Sequence, residues 1–183
     1  MLFNPPGRRY GFRTLMLDPV RSAVELRLGG MVAALPALGG TMRRPVSDSW
    51  EDAELTIVLD AGGVETGDAR RNEHIRSLDA LDVANHPQMR FRGCIARRPA
   101  SVTLEVRGLL TFRGQYMPVI LEADCRDGST GAHRLLARGM LALPQQLVSF
   151  QPYDRARGHN DSSRVEIVIQ SEWLETSDPM PAA

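Results

Sequence analysis

What this chain has little of excludes several functions before any motif is read. Across 183 residues it carries two cysteines, Cys94 and Cys125, too few for a disulfide framework and better suited to reduced thiols in a cytosol. It has no excess of charge, 22 basic against 22 acidic residues, so no global field draws it to nucleic acid or to an anionic bilayer. Nucleic acid is therefore excluded as an expected partner. Its cations are arginine, which reads as codon bias rather than as a phosphate-binding device. No window approaches the roughly 20 apolar residues needed to span a bilayer, and Met31–Leu38 is short and interrupted by Pro36. The opening Met1–Tyr10 meets Pro5, Pro6 and Gly7 too early to read as a secretory signal. A cytoplasmic location is expected as written, and a periplasmic or secreted one if the N-terminus was processed.

Catalytic signatures are also missing. Ser101, Ser149 and Ser171 lack the Gly-x-Ser-x-Gly elbow, and neither Gly39-Gly40 nor Gly62-Gly63 belongs to a Walker or dinucleotide pattern, so these glycines read as turns. His86, His133 and His159 stand isolated in sequence, without metal-ligand spacing. His74 has Glu73 beside it and Asp79 near it, but neither spacing shares its helical face, and a structural role outweighs acid–base chemistry. Arg70 and Arg71 could hold an anionic head group near a helix start, although solvated arginines are the commoner outcome. No catalytic residue, metal ligand or cofactor is assigned.

What is present is alternation. Leu55, Ile57 and Leu59 alternate with polar neighbours, as do Val24, Leu26 and Leu28, and Val165, Ile167 and Ile169. Met89, Phe91 and Ile95 mark another strand, Val102 to Phe112 a further one, and Arg113-Gly-Gln-Tyr-Met-Pro118 turns the chain into Val119, Leu121 and Ala123. Leu135, Ala137, Leu141 and Leu143 continue the pattern, and Gln151–Ser163 is a long polar excursion. The first strand is expected from Ser22 to Leu28, one or two helical turns over Met31–Leu38, and a polar loop over Arg44–Asp52. One short helix is expected between Asp68, its cap, and Leu81, with Ile75 and Leu78 sharing its inward face before His86-Pro87. Seven or eight strands with one helix make an all-β sandwich or barrel. At this length one domain, 1–183 with a core of about 15–174, buries about 70% of the surface of its unfolded chain.

Leu59-Asp60, Val64-Glu-Thr66, Arg71-Asn-Glu-His74-Ile75, Ser77-Leu-Asp79, Leu81-Asp82, His86-Pro87, Phe91, Gly108-Leu-Leu-Thr111, Gly114 and Pro118-Val119 together resemble the YceI-like polyisoprenoid-binding family. The resemblance runs from roughly Leu15 to Trp173, and Asp18 and Ser22 fit the family's opening element in part. It implies a closed, eight-stranded antiparallel lipocalin-like barrel. Arg21 stands where the family usually has histidine and Asn72 where it has aspartate. Leu143-Pro-Gln-Gln-Leu147 lacks the expected arginine and aspartate.

The inward stripe of Leu26, Leu28, Leu59, Phe91, Leu110, Phe112, Leu141, Ile167 and Ile169 is the candidate ligand-binding surface. A filled core has the same pattern, so alternation leaves both open; the resemblance favours a cavity wide enough for one slender apolar molecule. The leading expectation is a non-enzymatic carrier or store of an isoprenoid or fatty acid. The alternatives are an enzyme acting on a lipid or small apolar metabolite at the barrel mouth, and a filled-core stress or partner-binding barrel. A homodimer is left open.

Overall fold

The alternation of Leu55, Ile57 and Leu59 is the rule for a complete wall. The computed structural model describes residues 11–28, 30–47, 49–98, 101, 103–128, 131–142 and 164–176. In it β1 (Phe12–Leu28), β2 (Met31–Pro45), β3 (Glu54–Asp60), β4 (Gln88–Arg97), β5 (Leu104–Phe112), β6 (Gln115–Asp127), β7 (Ala132–Ala142) and β8 (Arg164–Glu175) pair antiparallel in chain order. β8 returns to β1 and closes the barrel. Closure leaves the sheet with no open edge, and every second residue faces the interior. The β5–β6 turn is Arg113-Gly114, both at positive φ (48° and 71°), a conformation glycine adopts without strain and that suits a two-residue hairpin.

Three expectations are corrected at the start of the chain. β1 begins at Phe12 rather than Ser22, because a bulge absorbs the turn-like Asp18-Pro19: register shifts between Met16 and Ala23 on the β2 side. Within it the Asp18 carboxylate accepts from the amides of Val20 and Arg21. Met31–Leu38 is strand, not helix, since Ala33, Leu35 and Ala37 are buried at period two and pair with β1 or β3. Its Pro36 lies opposite Ala23, where the ladder is irregular and a missing N–H is tolerated. Arg44 is not in a polar loop but near the end of β2, and it is 1% exposed.

The helix is shorter than expected. α1 (Ala69–Arg76) is capped by Asp68, which accepts from the Arg71 amide, and ends where the Ser77 hydroxyl donates to the His74 carbonyl. Ile75 is buried, whereas Leu78 lies beyond the helix and is 67% exposed, so the two share no face. The surrounding insert is pinned by Arg76, which donates to the Val64 carbonyl at 2.9 Å, and by Arg113, which donates to the Ala80 carbonyl at 2.6 Å. α1 and the β5–β6 turn therefore mark one end of the barrel. The opposite end gathers the start of β1, the ends of β2, β6 and β8, and the start of β7.

Candidate functional site: the barrel interior and its stoppered end

Leu59, Phe91, Leu110, Phe112, Leu141, Ile167 and Ile169 all reach the interior, and each is 3% exposed or less. Little void wide enough for water therefore lies against them. Leu26 is half-buried and packs against this core, and the side chain of Leu28 lies outside the described residues. Phe91 and Met117 are the cross-strand partners of Leu110. Beside them Gly93 and Gly108 face each other. A Cβ on Gly108 would fall 2.7 Å from the Phe91 ring, and one on Gly93 3.0 Å from it. The ring thus lies along the β4–β5 wall in the space the two glycines leave. Met42 and Met117 also line the interior and belong to the same period-two phase, which is the signal that could have found them.

The end away from α1 is closed by charge. Arg44 donates to both Asp127 oxygens, at 2.5 and 2.9 Å, and its guanidinium lies 4.1 Å from the Trp50 ring centroid. His133, expected to stand alone, joins this cluster: Nδ1 is 2.7 Å from Asp127 and 3.1 Å from Arg44, and Nε2 is 3.3 Å from Glu175. Nδ1 can donate to Asp127 or accept from Arg44, but not both at once. Arg13 completes the group at 2.5 Å from Glu175. The hydrogen bond from Arg44 is the main cause that lowers the Asp127 carboxyl to about 2, and Arg13 lowers Glu175 in the same direction. Burial, followed by the nearby Asp124 charge, pushes the Cys125 thiol up to about 12. Both cysteines are free, and a thiol so shifted is inert. None of these residues was marked as a site in the sequence, because the strands that carry them meet only on closure.

The two departures from the family pattern have structural partners. Arg21 donates at 2.8 Å to Glu172, a carboxylate whose side chain is 5% exposed and which Arg134 holds from the other side at 3.1 Å. Asn72 accepts from the Thr66 amide and hydroxyl, and its hydrogen bond to Glu65 is the largest cause lowering that carboxyl. An aspartate there would place a second negative charge beside Glu65. The segment 143–147 lies outside the described residues, as do His159, Ser149 and the 151–163 excursion.

Other candidates are not brought together. His74 is exposed on α1, as are Glu73 and Asp79 nearby, and Arg70 is exposed while Arg71 is half-buried. His86 packs edge-on against Phe112 with 6.5 Å between ring centroids. Ser171 accepts from the Trp173 indole at 2.9 Å in the core. Among the described residues no group of three His, Cys, Asp or Glu side chains is placed to hold a metal, and no helix is long and apolar enough to cross a membrane. The outer wall carries a shallow groove of about 460 Å³ along β6 and β7, lined by Glu122, Arg138, Gly139, Met140 and others.

The family model described as a YceI-like domain matches residues 16–170. A UPF0312 protein of Ectopseudomonas mendocina is 32% identical over 73 residues, which cover 40% of this chain and 38% of that protein. The matched segment thus spans about two fifths of that relative's length. Among solved structures, Burkholderia cenocepacia BcnA superposes with a TM-score of 0.61 at 17% identity, covering 87% of this chain and 99% of that one. A polyisoprenoid binding domain from Saccharophagus degradans gives 0.59 at 13% identity, covering 91% and 100%. At such identities the structural likeness concerns the fold.

Proposed function

Because the chain belongs to the YceI-like domain family, we propose that it binds and carries or stores a long apolar molecule, an isoprenoid or a fatty acyl chain, inside the barrel without chemical conversion. The observation that carries this reading is the apolar lining from Leu59 and Phe112 down to Leu121 and Leu135, stoppered by the Arg44–Asp127–His133 cluster. An apolar lining with its charges gathered at one end suits a slender ligand. Its surface is transferred from water at about 25 cal/mol per Å² of apolar area. The polyisoprenoid binding domain among the structural neighbours supports the same ligand class.

Since the interior side chains are packed, the ligand takes the place of side chains rather than of water. Met42, Met89 and Met117 are suited to that repacking, being unbranched and adaptable. The same close packing favours a second reading, a filled barrel that acts through its surface. Native mass spectrometry before and after organic extraction separates the two, together with titration by the fluorescent lipid 11-(dansylamino)undecanoic acid. A co-purifying lipid, or saturable uptake of the probe by extracted protein, supports the carrier. A bare mass with no uptake refutes it and leaves the filled barrel.

A further inference from the structure

Charge is balanced over the whole chain but unevenly placed on its outer wall. The ladders set the outward residues of β4, β5 and β6 in rows. Nearest the α1 end, Arg90, Thr111 and Tyr116 lie side by side, and Arg92, Leu109 and Pro118 form the next row. Neither row holds a carboxylate. In the third row Arg107 and Ile120 are partners, and the Arg107 charge is met by Glu105. Carboxylates enter the wall of β5 and β6 only in the fourth, where Glu105 faces Glu122.

Three large apolar side chains stand out from these rows, Tyr116 at 70%, Ile120 at 62% and Leu109 at 45% exposure. Arg90 and Arg92 beside them are exposed, and among the described residues no carboxylate lies within ion-pair distance of either. Arg113, at the turn that ends this wall, donates to the carbonyls of Leu78 and Ala80, so its charge is not met by a carboxylate either. The bordering acids are held by other arginines: Glu54 by Arg43 at 3.5 Å, and Glu166 by Arg27 at 4.0 Å. Exposed apolar side chains rimmed by unpaired guanidinium groups mark a surface that meets a partner. The partner's charge is set by the rim, since guanidinium groups match phosphate oxygens while their aliphatic stems lie along apolar surface.

We propose that this face of β4–β6 docks on a bilayer of anionic phospholipids, with Tyr116, Leu109 and Ile120 at the acyl boundary and Arg90 and Arg92 on the phosphates. The inference deepens the lipid-binding reading and takes from it the choice of a bilayer over an acidic protein, because an apolar cargo has to be exchanged with a lipid phase. Co-sedimentation of the full chain at low salt tests it, with vesicles of phosphatidylglycerol and phosphatidylcholine in equal parts and with phosphatidylcholine alone. The protein partitions onto the anionic vesicles, and Arg90→Glu with Arg92→Glu weakens that partition by at least about tenfold. Leu109→Ser with Ile120→Ser weakens it by a similar factor. Arg98→Glu with Arg126→Glu makes the same change of charge toward the other end of β4 and β6 and stays within about twofold. All of these positions are exposed, so the variants keep the parent's melting temperature. No partition of the parent onto anionic vesicles, or an equal loss in the control, overturns the docking. Binding to polyglutamate in place of vesicles overturns it too and assigns the face to an acidic protein. Uptake of 11-(dansylamino)undecanoic acid separates the two readings. Uptake without vesicle binding overturns the docking alone, whereas vesicle binding without uptake upholds the docking and refutes the carrier.

Discussion

Replacing Leu110 with tryptophan measures how tightly the interior is filled. Leu110 is 3% exposed, lies between Phe91 and Met117 across the two neighbouring ladders, and has no free volume toward β4, where the Phe91 ring already occupies the space over Gly93 and Gly108. An indole there must push a neighbour off its rotamer, which costs about 1–3 kcal/mol. For a domain of this size each kcal/mol lowers the melting temperature by about 2–4 °C, so a fall of about 2–12 °C is expected. Tyr116→Ser, at a residue 70% exposed, is the control and should stay within about 0.5 kcal/mol. Arg107 would be a poor control, because its guanidinium pairs with Glu105, which is 8% exposed. Thermal unfolding by near-ultraviolet circular dichroism reads the result. An unchanged melting temperature for Leu110→Trp, with native spectra, would refute the packed interior and reveal room already present for a ligand.

Arg44→Ala should cost about 3 kcal/mol in urea unfolding, the lower part of the range for breaking a buried pair, because Asp127 is 46% exposed and can rehydrate. Arg44→Met keeps the contact over Trp50 and should cost less than about 1.5 kcal/mol; equal losses would mean that the stack contributes nothing. Asp127 titrates near 2 in the folded protein, below an unfolded carboxyl, so its contribution is present above about pH 4 and is lost as pH falls toward 2. That contribution is about 1 kcal/mol once discounted for its exposure, and Asp127→Asn should flatten the acid limb of stability between pH 5 and 2; an unchanged limb would count against it. Gly108→Ala should destabilise by about 2 kcal/mol or more, since its Cβ would sit 2.4 Å from the Arg92 carbonyl and 2.7 Å from the Phe91 ring. Adding Phe91→Leu should recover part of that loss in a double-mutant cycle, and strict additivity would show that the ring is not the obstacle.

The period-two patterns of β3, β4, β5, β6 and β8 were legible in the sequence, because the pleat sends alternate side chains to opposite faces whatever the strand pairs with. So were the Asp68 cap, a reversal after Arg113 and most of the buried stripe, all of which depend on neighbours within a few residues; the turn itself takes only Arg113-Gly114, and Gln115–Pro118, expected in it, already belong to β6. The early strands were harder to read. Asp18-Pro19 reads locally as a turn and Met31–Leu38 as helix, and only pairing with β8, β2 and β1 makes them wall. The joining of Arg44, Asp127, His133 and Glu175 is a property of closure, since their separations along the chain reach 131 residues and no local signal marks residues that meet at a rim.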